Sequence, residues 1–273
     1  MDKSLVEENQ SDAQSLRSQL ADVFKKDKRQ KYSRFILSAL GSIPWVGGFL
    51  AASAALDAER EQGKINDMHR MWIEEHSEKV SELGDVLAGI IEKLENVSED
   101  IDERITSPSY LSLISQGFRQ WDQSETKEKR HYIRKLLTNA GATKLCPDDL
   151  IRLFLDWVDL YHEAHFLVIS EIYKKPGITR GQIWNNIHGA YPREDSAEAD
   201  LFKLLIRDLS TGSVIRQRRE TDYFGNYVKK KPSGKKSGGT LKSAFDNIEP
   251  YELTELGSQF VHYTMEDVVT RLE

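Results

Sequence analysis

The longest uncharged run in the chain extends from Phe35 to Leu56, FILSALGSIPWVGGFLAASAAL. As one helix it would measure about 33 Å, close to the hydrocarbon thickness of a bilayer. Pro44 lacks the amide that a helix ladder needs, and Gly41, Gly47 and Gly48 loosen the same region. The pattern therefore predicts two short apolar helices, over 34–40 and 46–56, joined at Gly41-Ser42-Ile43-Pro44-Trp45. Before it, residues 1–34 read as a polar helix or arm, with Leu5, Leu16, Leu20, Val23 and Phe24 too sparse for a core. After it, no proline occurs from Asp57 to Thr106, and Leu83, Leu87, Ile90, Leu94, Val97 and Ile101 alternate by four and three residues. That is a heptad seam. A helix of about fifty residues would be about 75 Å long and needs a partner. The partner is either chain folded back from 108–142 or a second copy.

Ser107-Pro108-Ser109 ends this helix, and Leu111, Leu113, Ile114, Phe118 and Trp121 form the stripe of the next one. Another helix is expected from Ser124, carrying Ile133, Leu136 and Leu137 and stopped at Asn139-Ala140-Gly141. Pro147-Asp148-Asp149 is a start signal with Asp148 as the expected N-cap, followed by a wide apolar stripe from Leu150 to Tyr161. The last third predicts helices over 163–175, 180–187 (capped by Thr179) and 197–209 (capped by Ser196). A strand at 214–218, a long polar excursion, a strand at 251–254 and a closing helix follow. Asp208-Leu209-Ser210-x-Gly212-x-Val214-Ile215-Arg216 and Tyr251-x-Leu253-Thr254-x-Leu256-Gly257 resemble the wing strands of winged-helix regulators. The expected fold is thus mainly α: a polar arm (1–34), an apolar helical hairpin (35–56), a long helix and helical bundle (57–160), then a C-terminal winged-helix (α+β) domain (161–273).

Charge changes this picture locally. The formal net charge of −6 argues against nucleic-acid binding by bulk electrostatics. Yet Arg216, Arg218, Arg219, Lys229, Lys230, Lys231, Lys235, Lys236 and Lys242 crowd the excursion against only Glu220 and Asp222, with Tyr223, Phe224 and Tyr227 interleaved. Cations among exposed aromatics suit phosphate contact and base stacking. The third of these helices starts acidic, with Glu194, Asp195, Glu198 and Asp200, so it is expected to repel phosphate and to offer a surface for a protein partner. At the front, Lys25, Lys26, Lys28, Arg29, Lys31 and Arg34 precede the apolar run and Asp57, Glu59 and Glu61 follow it, a polarity that suits contact with an anionic membrane surface. The residues Phe35, Ile36, Leu37, Leu40, Ile43, Pro44, Trp45, Val46, Gly47, Gly48, Phe49 and Leu50 form the candidate membrane or oligomer segment. Burial of the same residues inside a helical bundle is the alternative.

Catalytic patterns are missing. His162-Glu163-Ala164-His165 lacks the i, i+4 histidine pair of zinc hydrolases, and Gly47-Gly48 runs into Phe49 rather than a phosphate-binding lysine. No cofactor or metal is expected. The single cysteine, Cys146, and the polar first thirty residues suit a reducing cytoplasm.

Glu128-Lys129-Arg130-x-Tyr132-x-x-x-Leu136-Leu137-x-Asn139-Ala140, Asp148-Asp149-Leu150 and His165-Phe166-x-Val168-Ile169 resemble the helical core of abortive-infection proteins of the Abi-alpha type. Ile43-Pro44-Trp45-Val46-Gly47-Gly48 is similar to N-terminal segments of bacterial cell-death and phage-defence proteins. The resemblance implies a non-enzymatic phage-defence effector or regulator, cytoplasmic and membrane-associated on activation, with a homo-oligomer hiding the apolar segment and the winged helix sensing. A dimeric DNA-binding regulator and a protein scaffold are the other expectations.

Overall fold

A computed structural model describes residues 32–48, 67–95, 101–143, 145–219, 222–224, 228 and 243–265. The chain is mainly α-helical and divides into two compact units, 1–159 with 263–273, and 160–262.

The first unit is a helical bundle. Its first helix, α1 (Ser33–Gly41), stops at Ser42, and the chain is helical again over residues 44–48. Pro44 therefore opens a helical turn, where its missing amide costs nothing, instead of lying inside the joint. Helix α2 (Asp67–Glu95) carries the heptad seam, and α3 (Ile101–Thr106) continues it. Residues 49–66 and 96–100, with Phe49, Leu50 and Val97, lie outside the described residues, and parts of the single helix expected over 57–106 lie there with them. Helices α4 (Pro108–Gln123), α5 (Lys127–Ala142) and α6 (Asp148–Leu160) complete the bundle. The seam packs on α5 of the same chain, which puts Leu83, Leu87, Ile90 and Leu94 at 1% exposure or less. Of the two partners expected for the seam, folded-back chain supplies this contact.

Helix α1 lies on α4. The Phe35 ring sits 6.4 Å from Tyr110, stacked, and 6.5 Å from Phe118, edge-on. Two small side chains let the backbones close: the Ser38 and Ser115 hydroxyls share a hydrogen bond at 2.7 Å. Gly117 has the same role toward α5, since a β-carbon there would stand 2.7 Å from Leu137 Cδ2. Two start signals are shifted. Thr126, not Ser124, caps α5. Asp148 is the first residue of α6, and its carboxylate takes both ends of the Arg104 guanidinium, at 3.1 and 2.5 Å. That pairing holds the Asp148 carboxyl below its usual pKa. The buried Arg104 also donates to the Ala140 carbonyl, so α3, α5 and α6 meet at one side chain.

In the second unit the order is α7 (Glu163–Lys174), β1 (Ile178–Thr179), α8 (Arg180–His188), α9 (Ala197–Thr211), β2 (Ile215–Gln217) and β3 (Pro250–Leu253). The strands form one antiparallel sheet, β1-β3-β2, with Ile178 opposite Tyr251 and Arg216 opposite Glu252. The two-residue β1 is absent from the sequence reading because it is too short to show alternation. Helix α10 (Glu255–Met265) is capped by Thr254, whose hydroxyl accepts from the Gly257 amide at 2.8 Å and donates to the Ser213 carbonyl at 2.6 Å.

The return limb of the excursion, 243–249, is pinned. Phe245 enters an aromatic cluster, 5.0 Å from Trp184 and 5.3 Å from Tyr191. Glu194 accepts the Ala244 amide at 2.9 Å and the Ser243 hydroxyl, and these bonds draw its pKa below the ordinary value of 4.5. A depressed carboxyl stabilises above its unfolded pKa and loses that contribution as pH falls through the folded value. Exchange of the Ala244 amide in Glu194→Ala will be about tenfold faster than in the parent at pH 7. The difference will close below pH 4.5 as the parent's carboxylate is neutralised. Equal exchange at pH 7 would show that Glu194 does not hold this limb.

Candidate functional site

Side chains from four elements of the second unit line a cavity of about 550 Å³. Lys203 and Arg207 stand one turn apart on α9, Arg180 opens α8, Arg216 lies on β2, Arg219 follows it, and Tyr251 of β3 borders the same space. Thr179 sets the start of α8, and so the position of Arg180, through a capping box with Gln182. The Arg180 Nε and Nη2 donate to the Tyr251 hydroxyl at 2.8 and 2.5 Å, and the guanidinium lies 5.3 Å over that ring. Tyr251 is itself buried, so this arginine is held by a rigid neighbour.

Carboxylates beside the cavity pair with three of its cations. Glu252 takes Arg216 at 2.8 Å and Arg218 at 3.7 Å. Asp208 stands 3.6 Å from Arg207, and Glu194 and Asp200 stand 3.7 and 3.6 Å from Lys203. None of these acids lines the cavity, and Arg180 meets no carboxylate among the described residues. Cations gathered along one concavity attract an anion, and these carboxylates already relieve part of their mutual repulsion.

The sequence-predicted binding residues divide. Arg216 and Arg219 line the cavity. Arg218 does not; it is tied to Glu252, and its backbone amide donates to the Pro250 carbonyl at 2.8 Å. Tyr223 is 98% exposed beside Phe224. Lys229, Lys230, Lys231, Lys235 and Lys236 lie outside the described residues. Helix α9 begins with the acidic turn read from the sequence, and Lys203 and Arg207 lie beyond that turn. Their i, i+4 spacing was the available signal. Nothing in the sequence pointed to Arg180 or Tyr251, which reach the site only through the β1-β3 pairing.

No protein-family model, curated protein or solved structure matches the chain.

The other candidates have structural surroundings. His165 is buried, and its Nδ1 accepts the His162 amide at 3.1 Å at the start of α7. Its Nε2 stands 3.8 Å from Asp208, and burial pushes the imidazole pKa down. Among the described residues no cluster could hold a metal ion. Cys146 is buried, and desolvation raises its thiol pKa.

In the apolar segment Phe35, Ile36, Ile43 and Val46 are at most 6% exposed within the first unit. Leu40 and Trp45 are half-buried, the Trp45 indole donating to Asp122 at 2.5 Å. Pro44, Gly47 and Gly48 are exposed, and Leu37 is 63% exposed. Among the described residues no helix is long and apolar enough to cross a membrane.

Proposed function

We propose that the second unit is a winged helix that binds nucleic acid through its phosphates, and that it is the sensing part of a non-enzymatic phage-defence effector or regulator. The observation that carries this is the convergence of Arg180, Lys203, Arg207, Arg216 and Arg219 on one cavity at the foot of the basic excursion. The element order, helix-strand-helix-helix-strand-excursion-strand, and the sheet order β1-β3-β2 support the winged-helix reading. The defence setting rests on the resemblance of the middle region to Abi-alpha-type proteins.

Base reading has little support on α9. Apart from Arg207, its exposed positions beyond the acidic first turn include Leu201 and Leu204, which offer no hydrogen bond to a base edge. Binding should therefore depend on salt far more than on sequence. In fluorescence anisotropy, the Lys203→Gln/Arg207→Gln pair should reduce the salt slope by about two, roughly one per lost phosphate contact. The parent protein failing to bind any DNA or RNA, single- or double-stranded, at low salt would end this reading. In cells, the same pair should lose protection against phage if the second unit is the sensor.

A further inference from the structure

We propose that the cavity binds a nucleoside polyphosphate, either free or as the triphosphorylated 5′ end of an RNA strand. This rests on the reading that its cations serve phosphate.

Shape is the first argument. About 550 Å³ falls within the range of small-ligand sites, roughly 300–1,000 Å³. Charge is the second. A strand in passing offers its phosphates singly and spaced along the backbone, whereas a polyphosphate brings several charges to one point. The five cations line one cavity and come from α8, α9, β2 and the residues just after β2. Arg180 uses Nε and Nη2 on Tyr251 and keeps its other N–H groups for a ligand.

The third argument is the remaining lining. Ile206 and Ile215 are each 1% exposed yet border the cavity with the Tyr251 ring. Being almost wholly buried, they give the cavity a small apolar floor, a contact that a bare phosphate does not use and a nucleoside can. Ser210 and Thr211 add hydroxyls beside it. A charged wall with an apolar floor matches a molecule that is polyanionic at one end and a flat, weakly polar ring at the other.

The experiment uses the full chain in low-salt buffer with four probes: ATP or GTP, inorganic triphosphate, and one RNA sequence with a 5′-triphosphate or a 5′-hydroxyl. Nucleoside triphosphate should raise the melting temperature and bind at least tenfold more tightly than inorganic triphosphate, because only the former uses the apolar floor. Preference for the triphosphorylated RNA over the hydroxyl-ended one by tenfold or more assigns the strand end as the source; equal affinities, with tight nucleotide binding, assign the free nucleotide. The variant Lys203→Gln/Arg207→Gln should weaken nucleotide binding at least tenfold without moving the ligand-free melting temperature, since Arg207 is 72% exposed and Lys203 38%. Arg180→Gln is the second variant, should the first melt early.

Nucleotide binding no tighter than that of sulfate at equal ionic strength overturns the proposal, as does binding that both variants leave unchanged. Oligonucleotide binding that survives these variants and is lost on neutralising Lys229–Lys231, with no binding of nucleotide or preference for the 5′-triphosphate, overturns it too, while leaving the nucleic-acid reading in place. Nucleotide binding with no affinity for hydroxyl-ended DNA or RNA does the reverse.

Discussion

Replacing Phe35 by alanine will cost the helical unit about 3–5 kcal/mol, the range for deleting a buried aromatic ring, while the same change at Leu37 will cost about 0.5 kcal/mol. The two residues are neighbours on one helix, and both belong to the apolar run. Phe35 is 1% exposed between Tyr110 and Phe118, and Leu37 is 63% exposed. Since whole domains are stable by only about 5–15 kcal/mol, the Phe35 variant will be visibly softened in denaturant and the Leu37 variant will not. Equal midpoints for the two would show that α1 is not part of the bundle core.

The same contrast governs any test of membrane contact. An aspartate at Val46, which is 6% exposed, places a charge in the bundle, so lost liposome leakage in that variant would report unfolding as readily as lost insertion. Leu37→Asp adds its charge to an exposed site on the same segment and leaves the fold standing. If the segment acts on lipid, Leu37→Asp should abolish leakage with an unchanged melting temperature. Leakage equal to the parent's would remove the membrane role.

Gly257→Ala is expected to destabilise the second unit by about 3 kcal/mol, against the usual helix-propensity trend, which would favour alanine by about 1 kcal/mol. Gly257 lies in the first turn of α10, and a β-carbon there would run into the Val214 carbonyl oxygen and stand 2.9 Å from its carbon. The Val214 carbonyl also accepts the Thr254 amide at 3.0 Å, and Thr254 caps α10 through its side chain. Backbone cannot give way as a side-chain tip can, so the clash exceeds the propensity gain. A melting temperature equal to or above the parent's would show that β2 and α10 separate more easily than this packing implies.

Much of the fold was legible because its elements depend on near neighbours in sequence. The seam from Leu83 to Leu94, the stripe from Leu111 to Trp121, and the caps Thr179 and Ser196 follow from helical periodicity and from side chains reaching amides three residues on. Where a local signal was ambiguous, its placement slipped by a few residues: Ser124 against Thr126, and Asp148 as a cap against Asp148 as the first helical residue. Those errors have one cause. A Ser, Thr or Asp near a helix start satisfies the same rule in more than one register, and for Asp148 the deciding partner is Arg104, forty-four residues earlier.

Periodicity alone determined that the chain is mainly helical and marked Phe35 to Leu56 as its longest uncharged run. The tertiary structure decided what covers the described part of that run, because burial depends on which face of α1 meets Tyr110 and Phe118. It also decided the cavity. Charge counting located a basic excursion, but Arg180, Lys203 and Tyr251 converge with Arg216 only once β3 pairs with both β1 and β2. A field summed from separate elements is a property of three-dimensional distance, and distance along the chain does not encode it.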